Sequence, residues 1–381
     1  MAQVSKEFNL KLGSAGKGLI SSVLAFVKFF VVPFMVLNLI LTIGDGSGGE
    51  WWPKVKVLIE EMMPLVIVFG IAITAVAFGR GFYPKGSYPR AVFSAVCAVL
   101  VMIYAYMLML GGDVQSFFDS EDIALDVMFV FLLFALLLVI RTLQHLGELP
   151  DHRHEFLTLM AGKLGTPMPE PLPVEDVDKH RFYHDLRLRY GRLEPGFKDM
   201  RKAAGKYLAW PVFLLIIIGI VITKIGDSVP VEFKNELDGL VGTIALIGAA
   251  IAVLMFFKGF YPKGSVSRMA FWIPAAGCIC LWIWYLSFGG DVAIELMDLA
   301  TIELDYTPII MLFIIAAALW AVYAIVEMVS YRKDWKANNF QPVDDKKISA
   351  MKKLKKKEAK EKAKAEKLQK KLDEKRSQGK D

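Results

Sequence analysis

The heptapeptide GFYPKGS occupies Gly81 to Ser87, and the same seven letters return at Gly259 to Ser265. The copies lie 178 residues apart in a chain of 381. Each joins two long apolar blocks, so its reading decides how those blocks are organised. Pro at the second position and Gly at the fourth of Tyr-Pro-Lys-Gly suit a tight turn. Ser87 and Ser265 then stand where they can cap the next helix, with Arg90 and Arg268 three residues on.

Working outward, 55% of the chain is apolar. The apolar residues gather in eight blocks: 19–43, 57–79, 91–110, 123–140, 207–226, 239–257, 269–288 and 302–328. Each reaches the roughly 18 residues expected of a membrane-spanning helix. In hydrocarbon every backbone N–H and C=O must be satisfied within the segment, which predicts helices. The first block reads as a permanent span. It is too long for a cleaved signal, and no small-residue cleavage site follows. Cys97, Cys278 and Cys280 all fall in these blocks and read as small hydrophobes, not a disulfide framework.

Charge on the short loops predicts orientation. The loop after block two carries Arg80, Lys85 and Arg90 and no acid; the loop after block six carries Lys258, Lys263 and Arg268 and no acid. The loops after blocks three and seven carry acids and no base. Both heptapeptides, both termini and the loop 141–206 are therefore expected on the cytoplasmic side of a cell membrane. That side holds 40 of the 45 Lys and Arg residues.

The 178-residue spacing extends well beyond the heptapeptide. Lys28 and Pro33 match Lys206 and Pro211, Gly70 matches Gly248, and GGDV at 111–114 matches GGDV at 289–292. After one inserted residue, Leu125-Asp126 matches Leu304-Asp305. The expectation is an all-α integral membrane protein, a four-helix unit used twice. Four is even, so both copies cross in the same sense about a pseudo-twofold axis along the membrane normal. The implied organisation is an N-terminal segment 1–18, a first repeat 19–140, an insert 141–206, a second repeat 207–328 and a Lys-rich tail 329–381.

Candidate functional residues follow from this frame. Arg80, Phe82, Tyr83, Lys85 and Arg90, with Lys258, Phe260, Tyr261, Lys263 and Arg268, make two basic-aromatic turns. Such turns either serve only the fold and its orientation or offer a paired surface for lipid phosphates or a partner protein. Glu60, Asp113 and Asp126, with Asp238, Asp291 and Asp305, mark the opposite side. They read as helix-capping acids or as a cation-attracting vestibule. Lys28 and Lys206 are expected to snorkel to headgroups, Pro33 and Pro211 to kink their helices and free a carbonyl. Asn38 is the strongly polar side chain expected deep in a span, as helix glue or cavity lining. No Asp, Glu, Arg or His is placed at the midplane, which argues against an ion-coupled pump.

The insert carries all five histidines, His145, His152, His154, His180 and His184. Short helices are expected near 151–163 and 175–191, around the proline-rich connector GTPMPEPLP at 165–173. His180 and His184 would share a helix face. His152 and His154 add possible ligands, but the spacing matches no strict zinc signature, and no cofactor is called for. The tail, with KKLKKK at 352–357, suits a charged helix or a solvated segment. Its charge would attract anionic lipid headgroups or, by the same electrostatics, ribosomal RNA.

No His–acid or Cys–His constellation and no phosphate-binding Gly loop stands out, so an enzyme is the least supported class. The expectation is a non-enzymatic membrane scaffold or assembly factor that gathers partners or anionic lipid at its cytoplasmic face. The alternative is a channel or facilitative transporter with a path between the two halves. A dry helix interface with open cytoplasmic grooves would favour the first, and a water-filled cavity lined by Asn38 and the outer acids the second.

Overall fold

A computed structural model describes residues 7–47, 52–108, 121–166, 191–225, 231–287, 289, 291–296 and 300–337. Among them are eight helices long and apolar enough to cross a membrane. The chain is a polytopic membrane protein by that measure. Large apolar side chains face outward along these helices, with Leu24 and Leu312 each 67% exposed. In water such a surface would be a liability; in lipid it is the required one.

The first span joins helix α1 (Ala15–Phe26) to α2 (Val32–Ser47) through a π-helical turn, Val27–Val31. Helices α3 (Trp52–Phe82), α4 (Tyr88–Leu108) and α5 (Glu121–Asp151) follow, then the short α6 (Arg153–Leu164). The fifth span begins as α7 (Leu193–Ala203), passes through a second π-helical turn (Ala204–Ala209) and continues as α8 (Trp210–Ile225). Helices α9 (Val231–Phe260), α10 (Val266–Leu286) and α11 (Thr307–Ala337) complete the bundle.

Both π turns stand just ahead of a proline, Pro33 or Pro211. A proline has no N–H, so the carbonyl four residues earlier loses its helix donor. Those carbonyls belong to Phe29 and Tyr207. The Tyr104 hydroxyl donates to the first at 3.1 Å, and the Trp282 indole N–H donates to the second at 2.9 Å. Gly70 and Gly248 bring the neighbouring helix against the same two turns.

Helix α5 packs against the fifth and sixth spans. Its Val130 and Leu133 pack with Leu208, Val212 and Ile244, and its Ile140 packs with Ala203, Tyr207 and Ile251. Every one of these side chains is buried and apolar.

The all-α expectation holds for the spans but not for the connection before the eighth. A two-stranded antiparallel hairpin, β1 (Asp291–Leu296) and β2 (Ala300–Asp305), stands there, with Asp291 opposite Asp305. Val, Ile and Leu alternate with Asp, Glu, Thr and Ala through this stretch, a period-2 pattern that suits a strand. The eighth helix accordingly starts at Thr307 rather than 302 and runs on to Ala337. The fifth span starts at Leu193 rather than 207, and the fourth extends to Asp151. The helix expected near 151–163 is α6; the one near 175–191 lies outside the described residues, as does the tail beyond 337.

Candidate functional site

Both heptapeptides lie at one end of the bundle, and their letters are set by tight geometry. Gly86 and Gly264 have φ of 79° and 87°, the left-handed region that glycine enters without strain. A Cβ on Gly86 would lie 2.3 Å from the His152 carbonyl oxygen, and one on Gly264 would lie 2.7 Å from that of Tyr331. Ser87 and Ser265 each donate Oγ–H to the proline carbonyl three residues back, at 2.7 Å. Ser265 Oγ also accepts the Arg268 N–H at 3.3 Å, the expected cap. Tyr83 and Tyr261 are buried and stack on Phe93 and Phe271.

The arginines turn inward. Arg90 donates Nη1–H to the carbonyls of Arg80 (3.1 Å) and Tyr83 (3.2 Å), and Nε–H to Glu148 at 2.7 Å. Arg268 repeats this with Lys258 (2.6 Å), Tyr261 (3.3 Å) and Glu327 (3.4 Å). One arginine thus ties the end of one span, the turn and the last helix of its half. Arg153 and Arg332 each donate to the carbonyl of the turn glycine, Gly86 or Gly264, at 3.1 Å. Arg153 also forms a two-pronged pair with the fully buried Glu7 (2.6 and 3.1 Å). Sequence reading passed over Glu148, Glu327, Arg153 and Arg332. The signal was there: Glu-x4-Arg recurs at 179 residues, the spacing already set by Leu125-Asp126.

A second set of contacts pins α7 to the end of α5. Asp151 accepts the backbone N–H groups of Leu193 (3.0 Å) and Glu194 (2.7 Å), capping α7 from another helix. Glu194 in turn pairs with Lys85 of the first heptapeptide and with His152 Nε2 at 2.8 Å. His152 Nδ1 meets Glu155 at 2.8 Å. The hydrogen bond to Glu194 raises the His152 pKa above the ordinary imidazole value, against the opposite pull of burial. Lys263, by contrast, reaches Glu327 of its own half at 3.8 Å.

A cavity of about 180 Å³ opens beside these contacts, lined by Lys28, Arg80, Ser94, Arg141 and His145 among others. Lys28 sits 13 residues into the first candidate span, which begins at Ala15.

The other expected sites are scattered. Asn38 donates to the Phe34 carbonyl of its own helix at 2.9 Å and, among the described residues, bridges no second span. Glu60 is exposed, well inside a helix that starts at Trp52. Asp126 and Asp238 also lie within helices, α5 and α9, not at their starts. Asp305 accepts the Thr307 N–H at 3.0 Å, where α11 begins. Asp113, His180 and His184 lie outside the described residues. Among the described residues no three His, Cys, Asp or Glu side chains gather as metal ligands.

These features define a class, a helical polytopic membrane protein with an ordered, ion-paired end. Comparison with family models, curated proteins and solved structures gives no match.

Proposed function

We propose that this protein is a non-enzymatic membrane scaffold, built from a four-helix unit used twice in parallel and facing the cytoplasm with its heptapeptide end. The observation that carries the reading is the seam between the halves. Among the described residues it is built on buried, apolar Val130, Leu133, Ile140, Leu208 and Val212. The repeated unit is supported by contacts that recur at the sequence spacing. The pairs Arg90–Glu148 and Arg268–Glu327, the donors Tyr104 and Trp282, and the glycines Gly70 and Gly248 each occupy matched places. The excess of Lys and Arg beside both heptapeptides supports the orientation.

The basic-aromatic turns contribute to the platform mainly as structure, because Arg90, Arg268, Tyr83 and Tyr261 are turned inward. Recruitment then falls to the Lys-rich tail, which follows the last span and suits anionic lipid or an acidic partner such as ribosomal RNA. Purifying the full chain gently, beside a chain ending at 348, tests this. A stoichiometric partner that is lost with the tail is expected. Solute flux in liposomes that survives tail removal, without a partner, would contradict it and favour a transporter.

A further inference from the structure

The cavity at the ion-paired end has a surplus of positive charge. Lys28, Arg80 and Arg141 line it, together with His145, and no Asp or Glu does. The nearest acid, Glu148, is already taken by Arg90 at 2.7 Å and His145 at 3.0 Å. Among the described residues Lys28 and Arg141 have no carboxylate partner. Arg201, on α7, adds positive field at both. Arg80 and Arg141 are half-buried, and cations held there without a carboxylate are costly unless something compensates them. A further polar group points the same way. Ser94, 3% exposed, lines the cavity with its Oγ buried and without a hydrogen-bond partner.

The corresponding place in the second half carries different side chains. At the recurring spacings Ser94 becomes Trp272, Arg141 becomes Trp320, Arg80 becomes Lys258, Ser21 becomes Asp199 and His145 becomes Ala324. Lys258 lies over the Trp272 ring at 4.3 Å and feels the charge of Asp199. Lys206 lies over Trp320 at 5.8 Å. Lys28 and Lys206 each lie over the ring next in sequence, Phe29 at 5.1 Å and Tyr207 at 4.9 Å, but the second half adds two tryptophan faces and an acid. The first half has removed both tryptophans, added an arginine and left space.

We infer that the cavity of the first half is a binding site for a phosphate-bearing anion, and that its natural source is the headgroup of an anionic phospholipid. The size fits: about 180 Å³ is many times the roughly 10–15 Å³ that one water needs. Guanidinium groups recognise phosphate oxygens in a planar, two-pronged manner, and Arg80 and Arg141 supply two of them. The rim includes Leu24, 67% exposed, and the exposed Lys28, both on the outward face of the first span. An acyl chain can lie there while its phosphate enters. A free phosphate ion offers the same oxygens, and the experiment separates the two sources. The inference requires the membrane-spanning fold but not the scaffold reading.

Native mass spectrometry of the full chain in detergent tests it, with added phosphatidylglycerol, phosphatidylcholine or inorganic phosphate. The expected result is one phosphatidylglycerol per chain, held at least tenfold more tightly than phosphatidylcholine. Arg141→Gln and Lys28→Gln should each weaken that binding about tenfold. Ser94→Trp, which imitates the second half, should abolish it. Lys28 is exposed, so its replacement leaves the fold in place even where the arginine variant does not. The shared tail keeps non-specific lipid binding equal in all variants. Saturable, variant-sensitive binding of inorganic phosphate alone would keep the site and assign it to the free ion. Equal retention of both lipids, or retention unchanged in Lys28→Gln and Ser94→Trp without phosphate binding, would overturn it. Partner capture by the tail is a separate readout and is unaffected by either result.

Discussion

The Tyr104 hydroxyl reaches across from the third span to the Phe29 carbonyl, 3.1 Å away, which Pro33 leaves without a helix donor. Removing that hydroxyl leaves a buried acceptor unsatisfied, which costs about 1–3 kcal/mol. Tyr104→Phe should therefore lower the unfolding temperature in detergent while leaving the ring packing on Phe29 and Phe69 intact. Trp282→Phe should act alike at Tyr207. An unchanged melting temperature in both would mean that water or lipid satisfies the carbonyls instead.

The glycines facing the π turns should differ in tolerance. A Cβ at Gly248 would lie 2.3 Å from the Tyr207 oxygen, a backbone atom that cannot step aside. At Gly70 the approaches are longer, 2.9 Å to Phe30 Cβ and 3.0 Å to the Phe29 carbonyl oxygen, although these atoms too are fixed to the backbone. Ala gains up to about 1 kcal/mol over Gly from helix propensity, whereas overpacking costs about 1–3 kcal/mol. Both Gly248→Ala and Gly70→Ala should destabilise, Gly248→Ala by more. The reverse order in thermal unfolding would contradict the packing described here.

The two buried glutamates should also differ. Glu148 holds Arg90 and His145 at 2.7 and 3.0 Å, whereas Glu327 holds Arg268 and Lys263 at 3.4 and 3.8 Å. Breaking a buried pair from one side costs about 3–5 kcal/mol, because the remaining charge is left uncompensated. Glu148→Gln should approach that range and Glu327→Gln should fall below it. A denaturation series on both variants reads the difference.

His152 gives the joint between the end of α5 and the start of α7 a pH dependence. Its pKa is raised in the folded chain, with the hydrogen bond to Glu194 the largest cause. A raised value means that its contribution is fully present below the unfolded imidazole value of about 6.5. The contribution is lost as pH rises through the folded value. The melting temperature should fall over that window, and His152→Gln should flatten it. A wild-type profile already flat from about pH 6 upward would remove His152 from the joint.

The spans were legible in the sequence because hydrocarbon demands unbroken apolar helices, and all eight blocks overlap helices of the bundle. Their edges were less so. Arg141, His145 and Glu148 end the apolar run after 140, yet α5 continues to Asp151, since its polar side chains are turned into ion pairs and a cavity. The same holds for α7, whose Lys198, Arg201 and Lys202 read as loop although the helix begins at Leu193. The heptapeptide was legible as a turn from its Pro and Gly. That both Gly86 and Gly264 are pressed against another backbone was not, because that contact comes from residues far along the chain. The cavity was hidden for a similar reason. Lys28, Arg80 and Arg141 belong to three separate spans, and only packing brings them together.

The central claim is that two parallel four-helix units place both heptapeptides at the cytoplasmic face. Labelling of single cysteines in intact cells, in a chain otherwise free of cysteine, tests it most directly. Lys85→Cys and Lys263→Cys should react with an impermeant maleimide only after the membrane is opened, and Thr301→Cys in the hairpin should react without opening. Labelling of either heptapeptide position from outside, or protection of Thr301→Cys, would contradict the account.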